Sequence, residues 1–196
     1  MISPRFLNVI IALSVFVFFS MGLVQAEDSK PAIKISEPKP QARSVVGINW
    51  LKYDEGLKKA AEEGKNIFVE FTAKWCGYCK KMHATTFKDP RIIQMFDKYF
   101  VTVSVDGDSR DSLNINGWLT TERLLAREYR IQGYPTYWFL NSKGERIAPI
   151  GGYQPADFLY DALDYMKDET YKTMSFEKFL EQRDSAKEEE KPKGSG

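Results

Sequence analysis

Two cysteines occur in this chain of 196 residues, Cys76 and Cys79, and only two residues separate them. Ahead of them Glu70 stands inside an otherwise apolar run, "NIFVEFTA". Cysteines can staple a fold, bind metal or exchange disulfides. A staple gains most by closing a long loop, because that constrains the unfolded chain; a two-residue gap closes almost nothing. One histidine and two cysteines cannot supply four Cys/His zinc ligands. A carrier of copper or a haem thiol would use the same two sulfurs as soft ligands, but no Met or His flanks them closely. Thiol–disulfide exchange fits best. The thiolate is the attacking species, and this spacing puts both sulfurs on one helical turn.

That chemistry needs a strand and a helix around the pair. "NIFVEFTA" (66–73) is short, branched and aromatic, and reads as a strand buried on both faces. Strand alternation puts Glu70 on the face of Phe68 and Thr72, opposite Ile67, Val69 and Phe71. A carboxyl there is desolvated, which raises its pKa. It could accept the Cys79 proton through water. A helix from the cysteines to about Thr86 would aim its unpaired N–H groups and positive dipole end at Cys76, favouring the thiolate there. Cys79, one turn inside, would then resolve the mixed disulfide. His83 follows Cys79 by four residues and shares its helical face. It is read as a proton shuttle or tuner of Cys79, or as an exposed or half-packed residue; the second reading is preferred.

The remaining pattern supplies the frame. A helix is expected after Asn49 as cap, with Tyr53, Leu57 and Ala60/Ala61 on one face and Gly64 as its stop. Asp89-Pro90 is a cap and first-turn proline for a helix over "RIIQMF". "FVTVSV" (100–105) is a strand, 106–118 a polar loop, and 120–130 a helix. "PTYWFL" (135–140) and "ERIAPI" (145–150) form a hairpin through "NSKG". Pro155 opens a last helix with Phe158, Leu159, Ala162 and Leu163 inward. The tryptophans and most other aromatics are read as packing, although Trp75, Tyr134 and Tyr153 could rim a groove for an extended peptide. This order predicts an α/β fold: a central mixed sheet, helices on both faces and an extra N-terminal helix.

Composition bounds the rest. With 28 basic and 27 acidic residues the net charge is +1, so no bulk electrostatic case exists for nucleic acid. Residues 1–26 combine Arg5, an apolar stretch and Val24-Gln25-Ala26, and read as a signal peptide cleaved after Ala26; an uncleaved membrane anchor is the alternative. Both imply export, to the periplasm, where a disulfide can persist. Residues 27–46 are Pro- and charge-rich, as in a flexible linker. The folded domain is expected over 47–167, followed by a charged, partly disordered extension over 168–196.

"FVEFTAKWCGYCKKM" resembles the active-site stretch of thioredoxins and protein disulfide isomerases, and "RIQGYPTYWFLNSKGE" the segment that holds their cis-proline. The order matches, and the resemblance covers about 49–167. The long first helix, "TFKDPRII" and the enlarged loop after "VSVD" resemble periplasmic members, such as the C-terminal domain of the transmembrane thiol:disulfide interchange protein. The resemblance implies a thioredoxin fold with Cys76 as nucleophile, Cys79 as resolving cysteine, Glu70 as buried proton acceptor and Pro135 as the cis-proline. It implies substrate contacts at Trp75, Gly77, Tyr78 and the backbone of Tyr134. Gly77-Tyr78 resembles the more oxidising members, but does not set a direction. One departure stands out. Thioredoxins pair the buried acid with a lysine, and the matching strand here has none; Thr102 or a neighbour takes its place, unless another cation such as Lys74 reaches Glu70.

An exported thiol:disulfide oxidoreductase is therefore expected, acting as a monomer on protein thiols and disulfides without metal or organic cofactor. Reduction is the expected direction, with a membrane electron donor as recycling partner. An oxidase or isomerase, or a thioredoxin-fold binding or chaperone module, are the competing readings.

Overall fold

The structure is a computed structural model that describes residues 47–189. The expected signal peptide (1–26) and linker (27–46) lie outside the described residues, as does the end from 190.

The elements follow in the order α1 (Tyr53–Glu63), β1 (Asn66–Thr72), α2 (Gly77–Ala84), a single 3₁₀ turn (Thr86–Lys88), α3 (Pro90–Tyr99) and β2 (Phe100–Asp106). Then come β3 (Ser112–Ile115), β4 (Trp118–Thr121), α4 (Glu122–Glu128), β5 (Thr136–Leu140), β6 (Arg146–Gly151) and α5 (Ala156–Lys167). A second 3₁₀ turn (Thr170–Lys172) and α6 (Phe176–Glu189) complete the series.

The main sheet has the order β2-β1-β5-β6. β1 and β2 are parallel, with Glu70 opposite Ser104. β5 runs antiparallel to β1, with Tyr137 opposite Glu70, and β6 antiparallel to β5. The mixed sheet is thus the expected one. Alternation along β1 divides two cores. Phe68 packs with Tyr137, Phe139, Met82 and the inner faces of α3 and α5. Ile67, Val69 and Phe71 pack with Val101, Val103 and Val105 under α1 and α4. All of these β1 apolar residues are at most 1% exposed, and each fully buried side chain of this size contributes roughly 1.5–3 kcal/mol.

Several expectations need correcting. Asn49 does not cap α1. It lies in an extended segment whose Leu51 forms an isolated parallel bridge to Val103. The N-cap position is Lys52, without a side-chain cap; Asp54 and Glu55 complement the helix dipole instead. Tyr53, Gly56 and Ala60 are the buried residues of α1, while Ala61 is exposed. Gly56 was no part of the expected face, yet α1 needs it: a Cβ there would stand 2.2 Å from Val103 Cγ2. Residues 106–118 are not simply a loop, because β3 and β4 form a separate two-stranded sheet. Their alternation is too short and too polar to show as strands. α5 is not the last helix, and Phe158 is 38% exposed rather than inward; its ring meets Phe176 of α6 at 5.8 Å. Gly64 does end α1, in a left-handed conformation. Asp89 caps α3 as expected, its carboxylate accepting from Arg91 N–H at 2.8 Å. No helix among the described residues is long and apolar enough to cross a membrane.

Candidate active site

The site forms where β1 gives way to α2. The chain turns through Ala73–Trp75, with the Cys76 N–H donating to Ala73 C=O at 2.9 Å. Cys76 is the N-cap of α2 and its Sγ accepts from the Cys79 N–H at 3.0 Å. An N-terminal amide of the helix thus points at the first sulfur, as the spacing predicts. Cys76 and Cys79 are joined in a disulfide. They are 3% and 2% exposed, so burial does not distinguish them in this oxidised state.

Two aromatic side chains stand out around this buried pair. Trp75 is 69% and Tyr78 64% exposed, and Gly77 between them is exposed too. Tyr134 packs against the cluster of Ala73, Cys76 and Cys79. Its ring meets Trp75 edge-on at 5.8 Å. The Tyr134–Pro135 peptide is cis. Pro135 is buried, and its C=O is taken by Gly152 N–H at 2.8 Å. The structure therefore brings Trp75, Gly77, Tyr78, Tyr134 and Pro135 to one place. Tyr153 lies further along α2, under Lys81 at 4.3 Å and 3.3 Å from Thr85 Oγ1.

Sequence reasoning missed two supports of this rim. Trp75 Nε1 donates to Asp108 Oδ2 at 2.5 Å, which ties the active-site turn to the segment after β2. Gly107 leaves room for Tyr134: a Cβ there would stand 1.8 Å from the Tyr134 hydroxyl. Both residues sit in the stretch read as a polar loop, and no local pattern links them to the cysteines.

Glu70 is fully buried, on the face that alternation assigned to it. Its partner is His83, not Lys74, which is exposed. His83 Nε2 lies 2.9 Å from Glu70 Oε2 and 3.1 Å from Oε1. His83 is half-packed, as the preferred reading had it, with its side chain 43% exposed; its bond to Glu70 was not foreseen. The i+4 spacing from Cys79 was the available signal; what it could not show was β1 passing beneath that helical face. The His83 ring lies against Trp50 (5.7 Å between centroids) and Phe87 (5.1 Å). The hydrogen bond to Glu70 holds the His83 pKa above its ordinary value, against the opposing pull of partial burial. Thr102 is buried and donates to Asn49 C=O at 2.7 Å. Tyr137, directly across from Glu70, buries a hydroxyl that has no hydrogen-bond partner among the described residues. Burial first, and then the Glu70 charge, push its pKa up.

The family model described as "Thioredoxin-like domain" matches residues 53–167, which include the disulfide, Glu70 and the cis-proline. The chain belongs to the thioredoxin-like family. Its four-stranded mixed sheet flanked by helices is the thioredoxin fold. The protein disulfide-isomerase of Triticum aestivum is 30% identical over 137 residues, covering 67% of this chain and 22% of that protein. This thioredoxin-like chain spans about a fifth of the length of the curated isomerases it matches. Among solved structures, a putative disulphide-isomerase from Bacteroides thetaiotaomicron is 30% identical with a TM-score of 0.50, covering 61% of this chain and 92% of that one. A thioredoxin from Thermus thermophilus is 28% identical, also with a TM-score of 0.50, over 60% of this chain and 85% of that one.

Proposed function

We propose that this chain exchanges protein disulfides through Cys76 and Cys79, working as a reductase. The observation that carries the reading is the Cys76–Cys79 disulfide at the start of α2, with a helix amide on Cys76 Sγ and Tyr134 of the cis-proline segment packed beside it. In the reductive direction, Cys76 thiolate attacks a substrate disulfide and expels one substrate thiolate. Cys79 gives its proton to Glu70 and attacks Cys76 Sγ, which breaks the mixed disulfide and releases the second thiolate. The enzyme leaves oxidised, the state of this structure. Tyr134 and Pro135 would present backbone to an extended substrate, with Trp75, Gly77 and Tyr78 at its flank. No metal or organic cofactor enters this scheme, and the chain would act as a monomer.

The reductive direction and a membrane electron donor rest on the likeness to periplasmic family members, and export rests on the signal-like residues 1–26. The test of the exchange activity is insulin reduction with dithiothreitol. Wild type should be much faster than Cys76→Ser; equal rates would refute the activity. The potential against glutathione tests direction. A value near the thioredoxin end of a family range of roughly −270 to −120 mV supports a reductase, and one near the upper end makes the chain an oxidase or isomerase.

A further inference from the structure

The buried carboxylate of Glu70 has one polar partner among the described residues, His83. An ionised carboxylate only accepts, so Nε2 carries the proton between them. The two sit at opposite ends of a solvent gradient: the Glu70 side chain is fully buried, while that of His83 is 43% exposed. Trp50 and Phe87 hold the imidazole in place. Cys79 and His83 are one turn apart on the same face of α2, so Glu70 lies against the face that carries the resolving sulfur.

We propose that His83 is the counter-charge of Glu70: its imidazolium, in contact with the buried carboxylate, stabilises the group that takes the Cys79 proton and so sustains resolution under mildly acidic conditions. The proposal rests on the exchange function above and names the group that sets its acid limit. His83 does not touch the reacting sulfurs in this scheme; it is a positioning residue acting through Glu70.

Among the described residues, the charges around the pair are few. Glu70 reaches His83 from β1, and Lys88 of the 3₁₀ turn opposes its protonation. Tyr137 on β5 faces Glu70 as a neutral phenol, because burial raises its pKa. Trp50 and Phe87 carry no charge, and Cys79 titrates only when reduced. His83 is therefore the cation in contact with Glu70. The proton balance is simple. Cys79 S–H breaks, its electron pair forms the bond to Cys76 Sγ, and the pair of the broken mixed disulfide leaves on the substrate sulfur. The proton rests on Glu70 until it passes to solvent and the Glu70–His83 ion pair is restored.

The test is the pH profile of the resolving step, followed by stopped flow on a preformed Cys76 mixed disulfide. An opposite charge in contact lowers a carboxyl pKa by about 1–3 units. His83→Gln keeps a donor but loses the charge, so the acid limb of its profile should move up by about that amount. Resolution at pH 6 should then slow by about tenfold or more, since each unit is a factor of ten, with little change at pH 8.5. His83→Lys should restore the acid limb. Parallel profiles for wild type and His83→Gln would overturn the proposal. So would NMR titrations in which Glu70→Gln leaves His83 with its wild-type midpoint; the expected result is a fall towards 6.5, its ordinary value. Wild type unable to reduce insulin would defeat the exchange reading and this proposal together, whereas an active wild type with unshifted profiles defeats this one alone.

Discussion

Glu70 and His83 show how much one residue depends on what faces it. Burial alone would drive a carboxyl to its neutral form. Here an imidazole stands at hydrogen-bond distance from the buried Glu70, and it comes from a different element. The pairing has a consequence for stability as well as for rate. His83 binds its proton more tightly in the folded state than in the unfolded chain, where its value is about 6.5. Its contribution is therefore complete below about pH 6.5 and is lost as pH rises through the higher folded value. Urea denaturation across pH 5.5–8.5 should show wild-type stability falling in that window. His83→Gln should flatten the slope, and an unchanged slope would show that the pair does not couple to folding. Because His83 is partly exposed, the slope should also shrink in high salt.

The elements place these residues by close packing. α1 approaches β2 only because Gly56 has no side chain where Val103 points. On helix propensity alone, Gly56→Ala should stabilise α1 by about 1 kcal/mol. The clash should win, costing about 1–3 kcal/mol by overpacking; thermal melts that show a gain would mean that α1 can slide. The short extended segment before α1 is equally consequential. Leu51 bridges to Val103 and packs on one side of the sheet, while Trp50 packs on the other, against His83. Trp50→Ala should therefore loosen the His83 ring as well as cost core stability of about 3–5 kcal/mol at most, since Trp50 is only partly buried. NMR of His83 in this variant should show a weaker response to Glu70→Gln than in wild type. Helix α2, the β5–β6 hairpin and the cap of α3 were legible in the sequence because local signals define them: a cysteine spacing, a turn and Asp89-Pro90. The β3–β4 pair was not, since strands this short pair through backbone that carries no pattern.

At the scale of the whole molecule, the family match ends at residue 167, yet the chain continues to pack beyond it. Tyr165 of α5 meets Phe176 at 5.2 Å and Phe179 at 5.4 Å, and its hydroxyl donates to Met174 C=O at 2.6 Å. An Arg183–Asp161 ion pair adds a polar tie between α6 and α5. These contacts cover α5 on the side of Phe158, and none of them involves a residue of the disulfide cluster. Removing the chain from Ser175 onward should lower Tm by several degrees, at about 2–4 °C per kcal/mol for a chain of this size. Insulin reduction by the truncated protein should remain at the wild-type rate. A loss of activity without a loss of folding would instead tie α6 to the site.

The sequence by itself determined the strand, the cysteine turn and the inward face of Glu70, because each follows from spacing or alternation within one stretch of chain, and the mixed sheet, because it follows from the order of the elements. Only the tertiary structure decided what meets that acid. His83 comes from α2 and Tyr137 from β5, Trp50 holds the His83 ring from the segment before α1, and Asp108 and Gly107, after β2, support Trp75 and Tyr134. The physical reason is that periodicity tells a residue which way to point, whereas its partner is set by how the sheet and helices stack.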